Sequence, residues 1–372
     1  MSEFYLDAMW KERCAWVKRK VVKIVKKTEL PKGCVILNNK HVWKTKQLPN
    51  RFIDKFKYRL CVDGSVVMSN VEDTYEPCAT LDSLRLLMDL VIRFELKLDA
   101  TDFKEFYINS ELRSGERYFM KIPTGWEEDK YNNEDYMYEV LRAVYGLPTA
   151  SQTAGQELKD RLTDLQFSQS IHDPNLWFRW KIYEDPKPDE VIMVLIHSDD
   201  LLWAHSKGAE FASVLEAIDK YYDFTRRSQP DCYRGIEIRY NQDSSITLHM
   251  ANYLAGLQDK YNLQHCTKYK SPAFTDTVKK EESRTEGDVA PDKKTIHKYM
   301  VTQGELNWTV NCYPSCAFMV GYCARFMQGP QQRHFAMQRQ LLCYMIKIKD
   351  KGVTYRPNGV QVLKKGANMD DM

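Results

Sequence analysis

The chain has 372 residues, of which 54 are Lys or Arg and 51 are Asp or Glu, so its net charge is only +3. Its 43% apolar and 28% charged residues are typical of a globular protein, and its length predicts two or three packed subdomains. No apolar run is long enough to span a bilayer and the chain does not start with a signal peptide, which excludes a membrane-spanning protein.

The 10 cysteines are scattered along the chain without a CxxC pair. Cys312 and Cys316 have helical spacing and could form half of a zinc site, but no second pair accompanies them. We therefore expect reduced thiols that pack as small apolar side chains, and an intracellular protein in the cytoplasm or nucleus.

The N-terminal part of the chain is basic. Between Lys11 and Lys46 there are 12 Lys or Arg residues and only two acidic ones, with tryptophans interleaved. We expect residues 1–30 to form a basic amphipathic helix. Basic residues interleaved with aromatics favour a nucleic acid, with Lys23 and Lys44 as candidate contacts. The alternative is a solvated helix face whose tryptophans pack inward.

Hairpin strands are predicted after this segment, and one of them contains Lys57 and Arg59. These two side chains fall on one face because strand side chains alternate. They could form a triphosphate clamp, or they could blunt an exposed edge strand. The spacing leaves both interpretations open.

An apolar run, Val191 to Ile196, leads through a predicted tight turn to Asp199 and Asp200, after which the apolar sequence resumes. Two ionised carboxylates in such a hairpin are costly to bury unless they are neutralised. Hard divalent cations such as Mg²⁺ take oxygen ligands of this kind. A third carboxylate is available on the strand that ends near Phe103, where Asp102 can face a metal and alternation turns Asp99 the other way.

A strand ending in an acid, together with a separate Asp-Asp hairpin, is typical of a polymerase palm. In such a site two Mg²⁺ or Mn²⁺ ions promote an in-line displacement by the primer 3′-hydroxyl. A two-metal nuclease also uses clustered carboxylates, but neither the hairpin pattern nor the basic strands favour it.

The residues around these carboxylates resemble the reverse transcriptase of copia-type LTR retrotransposons, from about Trp10 to Arg356. Leu96 to Leu112 resembles the family's LxxxDVKTAFLNGEL block, and Lys57 to Leu60 resembles KARL. Val144 to Ala150 resembles LYGLKQA, Ile196 to Asp200 resembles LYVDD, and Tyr233 to Ile238 resembles FLGIEI.

The resemblance implies an α+β right-hand polymerase fold: fingers, a palm with an antiparallel sheet and the Asp-Asp hairpin, a thumb, and a helical connection. It implies two metals held by Asp102, Asp199 and the carbonyl region at Phe103, with Asp200 in support.

For the substrates, the resemblance implies the following contacts. The triphosphate would meet Lys57 and Arg59, Tyr107 would exclude a 2′-hydroxyl, and Thr149 occupies the position of the family's nucleotide-contacting Gln. The primer end would be gripped by Tyr233, Arg234 and Gly235.

The expected segments follow in chain order: a basic N-terminal helix (1–30), fingers (31–95), the first part of the palm (96–125), a fingers/palm insertion and helix (126–165), the palm with Asp-Asp hairpin and primer grip (166–250), the start of the thumb (251–277), a flexible linker (278–296), thumb and connection helices (297–356) and a tail (357–372).

The resulting hypothesis is an RNA- and DNA-directed DNA polymerase of a retroelement. Its expected partners are a primed RNA or DNA template and dNTPs, without a membrane. We expect it inside the cell, in the cytoplasm, the nucleus or virus-like particles. A homodimer remains open. We expect no ribonuclease H activity, because no acidic cluster of that kind follows.

The chain departs from the family blocks at Thr149, Gln152, Ala154 and His197. These departures support an alternative, a catalytically weak or domesticated nucleic-acid-binding protein that retains the fold.

Overall fold

The structure is a computed structural model that describes residues 3–47, 52–70, 74–128, 130–131, 133–181, 190–206, 210–265, 269–272 and 288–357. Its helices are α1 (Glu3–Lys18), α2 (Leu81–Arg93), α3 (Ala150–Asp164), α4 (Glu210–Asp219), α5 (Ala251–Lys260), α6 (Lys293–Thr309), α7 (Ala317–Ala324) and α8 (Gln332–Lys347).

The strands of the first half are β1 (Val22–Lys26), β2 (Val35–Leu37), β3 (Asn39–Gln47), β4 (Ile53–Val62), β5 (Lys97–Phe103), β6 (Tyr118–Met120), β7 (Tyr136–Val140) and β8 (Ser168–Gln169). They are followed by β9 (Leu176–Lys181), β10 (Glu190–His197), β11 (Asp200–His205), β12 (Phe224–Ser228), β13 (Cys232–Tyr233), β14 (Ile236–Tyr240), β15 (Ile246–His249) and β16 (Val353–Tyr355).

The chain forms two units, one made of Met1–Leu84 with Lys97–Gln229, the other of Arg85–Leu96 with Pro230–Met372. The boundary at Gln229 falls inside the segment 166–250 that the sequence assigns to the palm. The predicted primer-grip residues therefore belong to the second unit.

A six-stranded antiparallel sheet is the centre of the first unit, with the order β12-β5-β11-β10-β9-β8. Alternate residues of β10, such as Ile192 and Val194, are buried with Trp203 of β11. The apolar faces of α3 and α4 pack on these side chains, for example through Leu158 and Phe211. The helices thus cover one face of the sheet. The residues on the other face of β10, Val191, Met193 and Leu195, are buried as well.

The first unit also contains a four-stranded sheet, β1-β7-β6-β2, and a two-stranded ribbon, β3-β4. Aromatic residues on one face of the ribbon pack against α1: Tyr5 meets Trp43 edge-on at 5.3 Å between ring centroids, and Phe4 stacks on Phe56 at 5.3 Å. The opposite face is left for charged side chains.

The second unit combines the antiparallel sheet β13-β14-β15-β16 with helices α5 to α8. A buried polar contact joins two of its helices, because Gln338 donates to the Gln303 side-chain oxygen at 3.0 Å. Asp292 caps α6 by accepting from the Thr295 amide at 2.7 Å.

Two segment predictions differ from the structure. The predicted helix over 1–30 ends at Lys18, and Lys20 takes a φ of +52°. The next residues, Val21 to Val25, are mostly β-branched and pair with β7 because such residues favour strands. The predicted linker 278–296 contains the start of α6 at Lys293; its residues before 288, and the tail beyond 357, lie outside the described residues.

The cysteine prediction holds only in part. Eight cysteines of the described chain are free thiols, including the buried Cys312 and Cys316. Cys343 instead forms a disulfide, contrary to the expectation. None of the helices in the described ranges is long and apolar enough to cross a membrane.

Candidate active site

The Asp-Asp hairpin of β10 and β11 ends in a two-residue turn. His197 and Asp200 are its last paired residues, and Ser198 has a φ of +56° in the turn between them. The Asp199 carbonyl accepts a hydrogen bond from the Phe103 amide at 2.8 Å. This bond ties the turn to the end of β5, so the acidic residues of both segments are brought together.

Asp102 and Asp200 lie directly opposite each other in the pairing of β5 with β11. Opposed residues in an antiparallel pair point to the same face of a sheet. Burial raises the pKa of the Asp200 carboxyl to about 6; the charges of Asp102 and Asp199 also raise it, whereas Arg227 opposes them. Asp200 Oδ1 is buried and has no hydrogen-bond partner among the described residues. The site therefore concentrates negative charge that the protein does not neutralise fully.

These carboxylates do not form a closed metal cage. Within the part of the chain that the structure describes, no group of three or more His, Cys, Asp or Glu side chains is arranged as metal ligands. Asp102 is exposed, whereas Asp199 and Asp200 are half-buried. Such an open arrangement is compatible with a cation that also binds substrate phosphates.

Asp99 has a different environment, as alternation predicted. It is 2% exposed, and its carboxylate accepts from Arg226 Nε at 2.7 Å and Ser228 Oγ at 2.6 Å. His205 Nε2 lies 2.7 Å from its other oxygen. These hydrogen bonds outweigh the effect of burial and lower the pKa of Asp99. Its role is to hold β5, β11 and β12 together.

The outer face of the β3-β4 ribbon is rich in cations, and we refer to five of them as the cationic face: Lys44, Lys46, Lys55, Lys57 and Arg59. Lys44 lies opposite Lys57, and Lys46 lies opposite Lys55. Burial lowers the pKa of Lys57, and so do Arg59 and Lys46, whereas Asp199 counteracts them. Lys57 is therefore near enough to Asp199 for their charges to interact.

An aromatic pair lies between the cationic face and the Asp-Asp turn. The Arg59 guanidinium lies over the Tyr145 ring, 4.4 Å from its centroid. Tyr145 meets Tyr107 edge-on with centroids 4.9 Å apart. Tyr107 Oη and Ser198 Oγ share a hydrogen bond of 3.1 Å. These contacts connect Arg59 and Tyr107 with the turn that carries Asp199.

Other predicted residues lie apart from this cluster. Thr149 is 2% exposed and its hydroxyl donates to Glu116 at 3.4 Å. It lines a polar cavity of about 1380 Å³ that also contains Arg113 and Gln152, which are hydrogen-bonded to each other. Thr149 therefore does not take part in the contacts that join Arg59, Tyr145 and Tyr107 to the Asp-Asp turn. Its contact with the nucleotide stays a prediction. Lys23 is exposed on β1, which belongs to the four-stranded sheet and not to the ribbon.

The predicted primer-grip residues form a turn in the second unit. Tyr233 is 1% exposed and pairs with Ile236, while Arg234 and Gly235 have φ values of +52° and +76°. Two positive φ values in a two-residue loop are typical of the type I′ turns that close hairpins.

Sequence reasoning missed Tyr145 and Ser198. Both lie inside blocks that the resemblance had already singled out, Val144 to Ala150 and Ile196 to Asp200. Their position in those blocks could have suggested them, but only the structure brings them into contact with Arg59 and Tyr107.

An antiparallel sheet that carries Asp102 beside an Asp-Asp turn, with a cationic ribbon in the same unit, is the arrangement of a polymerase palm and fingers. The chain belongs to the reverse transcriptase (RNA-dependent DNA polymerase) family, whose sequence model matches residues 20–275. The resemblance to copia-type elements and the predicted α+β polymerase class are thereby confirmed.

Similar proteins include the Retrovirus-related Pol polyprotein from transposon TNT 1-94 of Nicotiana tabacum. It is 22% identical over 346 residues, covering 91% of this chain and 25% of that protein. The putative transposon Ty5-1 protein of Saccharomyces cerevisiae is 23% identical over 256 residues, covering 68% of this chain and 78% of its own length. The chain thus spans about a quarter of the tobacco polyprotein.

Among solved structures, a foamy viral protease-reverse transcriptase in complex with double-stranded DNA covers 93% of this chain and 49% of its own. Its TM-score is 0.49 and its sequence identity 11%.

Proposed function

We propose that the chain is a DNA polymerase that adds deoxynucleotides to a primer 3′-hydroxyl on an RNA or DNA template, with two divalent cations. The observation that carries the proposal is the position of Asp199. Its charge interacts with the carboxylate of Asp200 and with the ammonium group of Lys57. The contacts that run from Arg59 through Tyr145 and Tyr107 lead to the same turn. Acids suited to a cation and bases suited to a phosphate are thus linked within one unit.

The donor set fits a hard divalent cation. Asp102, Asp199 and Asp200 supply carboxylate oxygens, and one buried Asp200 oxygen has no hydrogen-bond partner within the described residues. We assign the metal contacts to Asp102, Asp199 and the Phe103 carbonyl, with Asp200 in support. When bound, Mg²⁺ or Mn²⁺ would neutralise phosphate charge and favour ionisation of the primer hydroxyl.

The residues of the chain would bind and orient the nucleotide. The planar guanidinium of Arg59 can bind two phosphate oxygens, while Lys57 supplies a compact charge. Because Tyr107 is hydrogen-bonded to the turn that carries Asp199, its ring is held beside the reacting groups. A bulky ring in that position would exclude a 2′-hydroxyl and select deoxynucleotides.

The cationic face supports a nucleic-acid partner. Lys44, Lys46 and Lys55 are exposed, and two cross-strand pairs on this face join like charges. Such pairs destabilise a ribbon by themselves. A phosphate backbone would remove this repulsion and release counterions.

Primer extension tests the proposal. Purified chain would be given matched RNA and DNA templates with Mg²⁺ or Mn²⁺, next to Asp199→Ala. Asp164→Ala is the control, because Asp164 is an exposed residue at the end of α3. Extension that Asp199→Ala abolishes and Asp164→Ala preserves would support the polymerase.

The alternative is a catalytically weak or domesticated nucleic-acid-binding protein that retains the polymerase fold. It is favoured by the burial of Thr149 against Glu116, away from the reacting groups. A folded chain that binds primer-template, with an affinity unchanged by Asp199→Ala, and that extends neither template would support this alternative and contradict the polymerase.

A further inference from the structure

Tyr145 lies between two residues that the proposed function assigns to different parts of the nucleotide. The Arg59 guanidinium lies 4.4 Å from its ring centroid, and the Tyr107 ring meets it at 4.9 Å with an interplanar angle of 84°. Arg59 would bind the triphosphate and Tyr107 would face the sugar. The Tyr145 ring therefore contacts both the residue proposed to bind the triphosphate and the residue proposed to face the sugar.

The backbone fixes this ring with respect to β4, the strand that carries Arg59. The Val62 amide, at the end of β4, donates to the Tyr145 carbonyl at 2.7 Å. The next residue, Gly146, has a φ of +99°, and a Cβ at that position would lie 1.9 Å from the Val62 carbonyl oxygen. Only glycine permits this approach, so Gly146 holds Tyr145 close to the strand.

The ring, and not the hydroxyl, makes the contacts of Tyr145. Within the described residues its hydroxyl makes no hydrogen bond, whereas its ring has the two contacts above. On the far side, Tyr107 is held by Ser198 at 3.1 Å. An unbroken series of contacts therefore runs from Arg59 through Tyr145 and Tyr107 to the Asp-Asp turn.

We propose that Tyr145 is a positioning residue that orients Arg59 for the triphosphate and Tyr107 for the sugar at the same time. This inference rests on the proposed polymerase function. A guanidinium over an aromatic face is held in orientation as well as attracted. An edge-to-face aromatic pair fixes the second ring in a similar way. Removal of the ring should loosen triphosphate binding and sugar selection together.

The test compares Tyr145→Phe, which keeps the ring, with Tyr145→Leu and Tyr145→Met, which remove it. Tyr131→Leu is the control, because it removes an edge-to-face ring pair with Tyr136, 5.2 Å apart, in another part of the unit. Steady-state extension gives kcat and KM for a dNTP and for the matching rNTP. Thermal melting and primer-template affinity report the fold of each variant.

We expect Tyr145→Leu and Tyr145→Met to raise the dNTP KM about three- to thirtyfold, from the strength of cation–π contacts. Discrimination against the rNTP should fall in parallel, with a smaller change in kcat. Tyr145→Phe and Tyr131→Leu should stay within about twofold of the wild type. Loss of both properties together would not follow from a general packing defect.

Three outcomes would overturn the inference. Folded Leu or Met variants with wild-type KM and discrimination would show that the ring positions nothing. A Phe variant as impaired as Leu would assign the effect to the hydroxyl. If the wild type neither extends a primer nor binds dNTP, the proposed function fails and this inference fails with it. If the wild type extends a primer normally and the variants keep its KM and discrimination, only the inference fails.

Discussion

Asp102 and Asp200 face each other across β5 and β11, and one buried oxygen of Asp200 has no hydrogen-bond partner in the part of the chain that the structure describes. Like charges opposed in a sheet destabilise it, and so does a buried acceptor left without a donor. This arrangement is unfavourable for the folded state alone. It is the arrangement expected of residues retained for binding a cation.

Replacing Asp200 by Asn should therefore stabilise the protein when divalent cations are absent. The change keeps the shape of the side chain and removes its charge from the neighbourhood of Asp102 and Asp199. We expect a gain of about 1 kcal/mol in the free energy of unfolding. Denaturant unfolding in EDTA measures it, with Asp164→Asn as the exposed control. An Asp200→Asn variant less stable than the wild type would contradict the electrostatic interpretation.

Divalent cations should stabilise the wild type by binding the folded chain. At a free Mn²⁺ concentration 100-fold above the dissociation constant, the gain is about 2.7 kcal/mol. Asp102→Asn and Asp199→Asn should each reduce this gain strongly, because each removes an assigned ligand. Calorimetric melting with and without Mn²⁺ measures the effect. If Mn²⁺ stabilises both variants as much as the wild type, the cation binds elsewhere in the protein.

Asp99 and Asp102 should differ sharply when each is replaced by Ala. Asp99→Ala leaves Arg226 and His205 without their buried partner, and we expect a loss of about 3 kcal/mol in stability. Asp102→Ala removes an exposed side chain that faces Asp200 across the sheet, so stability should not fall while extension disappears. Parallel unfolding and extension assays on both variants decide the matter; similar stability losses would refute this division of roles.

The contrast between these two residues shows how far the sequence could lead. Strand alternation was sufficient to separate Asp99 from Asp102, because the faces of a strand follow from residue spacing alone. The contact of Tyr145 with Arg59 could not be predicted, since it joins segments more than 80 residues apart in sequence. The end of α1 was missed because its basic pattern continues into Lys23 and Lys26, whereas the β-branched residues between them favour a strand.

The cationic face should make nucleic-acid binding sensitive to salt. Replacing Lys44, Lys46 and Lys55 by Gln removes three exposed charges, which should lower the slope of log affinity against log salt by about 2. Lys57 and Arg59 remain, so the KM for dNTP should change little. Fluorescence anisotropy with a primer-template measures the slope. The matched control replaces Lys26, Lys27 and Lys32, which are exposed outside the ribbon; an equal loss there would show that only net charge matters.

His334, at the start of α8, should make the stability of the second unit depend on pH. Its Nδ1 accepts the Gln331 amide at 2.9 Å, so the ring must be neutral at that atom. Burial lowers the pKa of His334 to about 4; the charge of Arg333 also lowers it, and Asp288 opposes. In the unfolded chain a histidine titrates near 6.5. Between these values the unfolded chain binds a proton that the folded chain does not.

The free energy of unfolding should therefore be unaffected by His334 above pH 6.5 and should fall as the pH drops toward 4. At pH 5 the loss is about 2 kcal/mol relative to neutral pH. His334→Asn retains an acceptor near the Nδ1 position but does not titrate. Because His249 is also buried with a lowered pKa, the useful quantity is the difference between wild type and variant. Denaturant unfolding at pH 7.5 and pH 5 should show a wild-type loss that exceeds that of His334→Asn; equal losses would mean that protonation of His334 does not oppose the folded state.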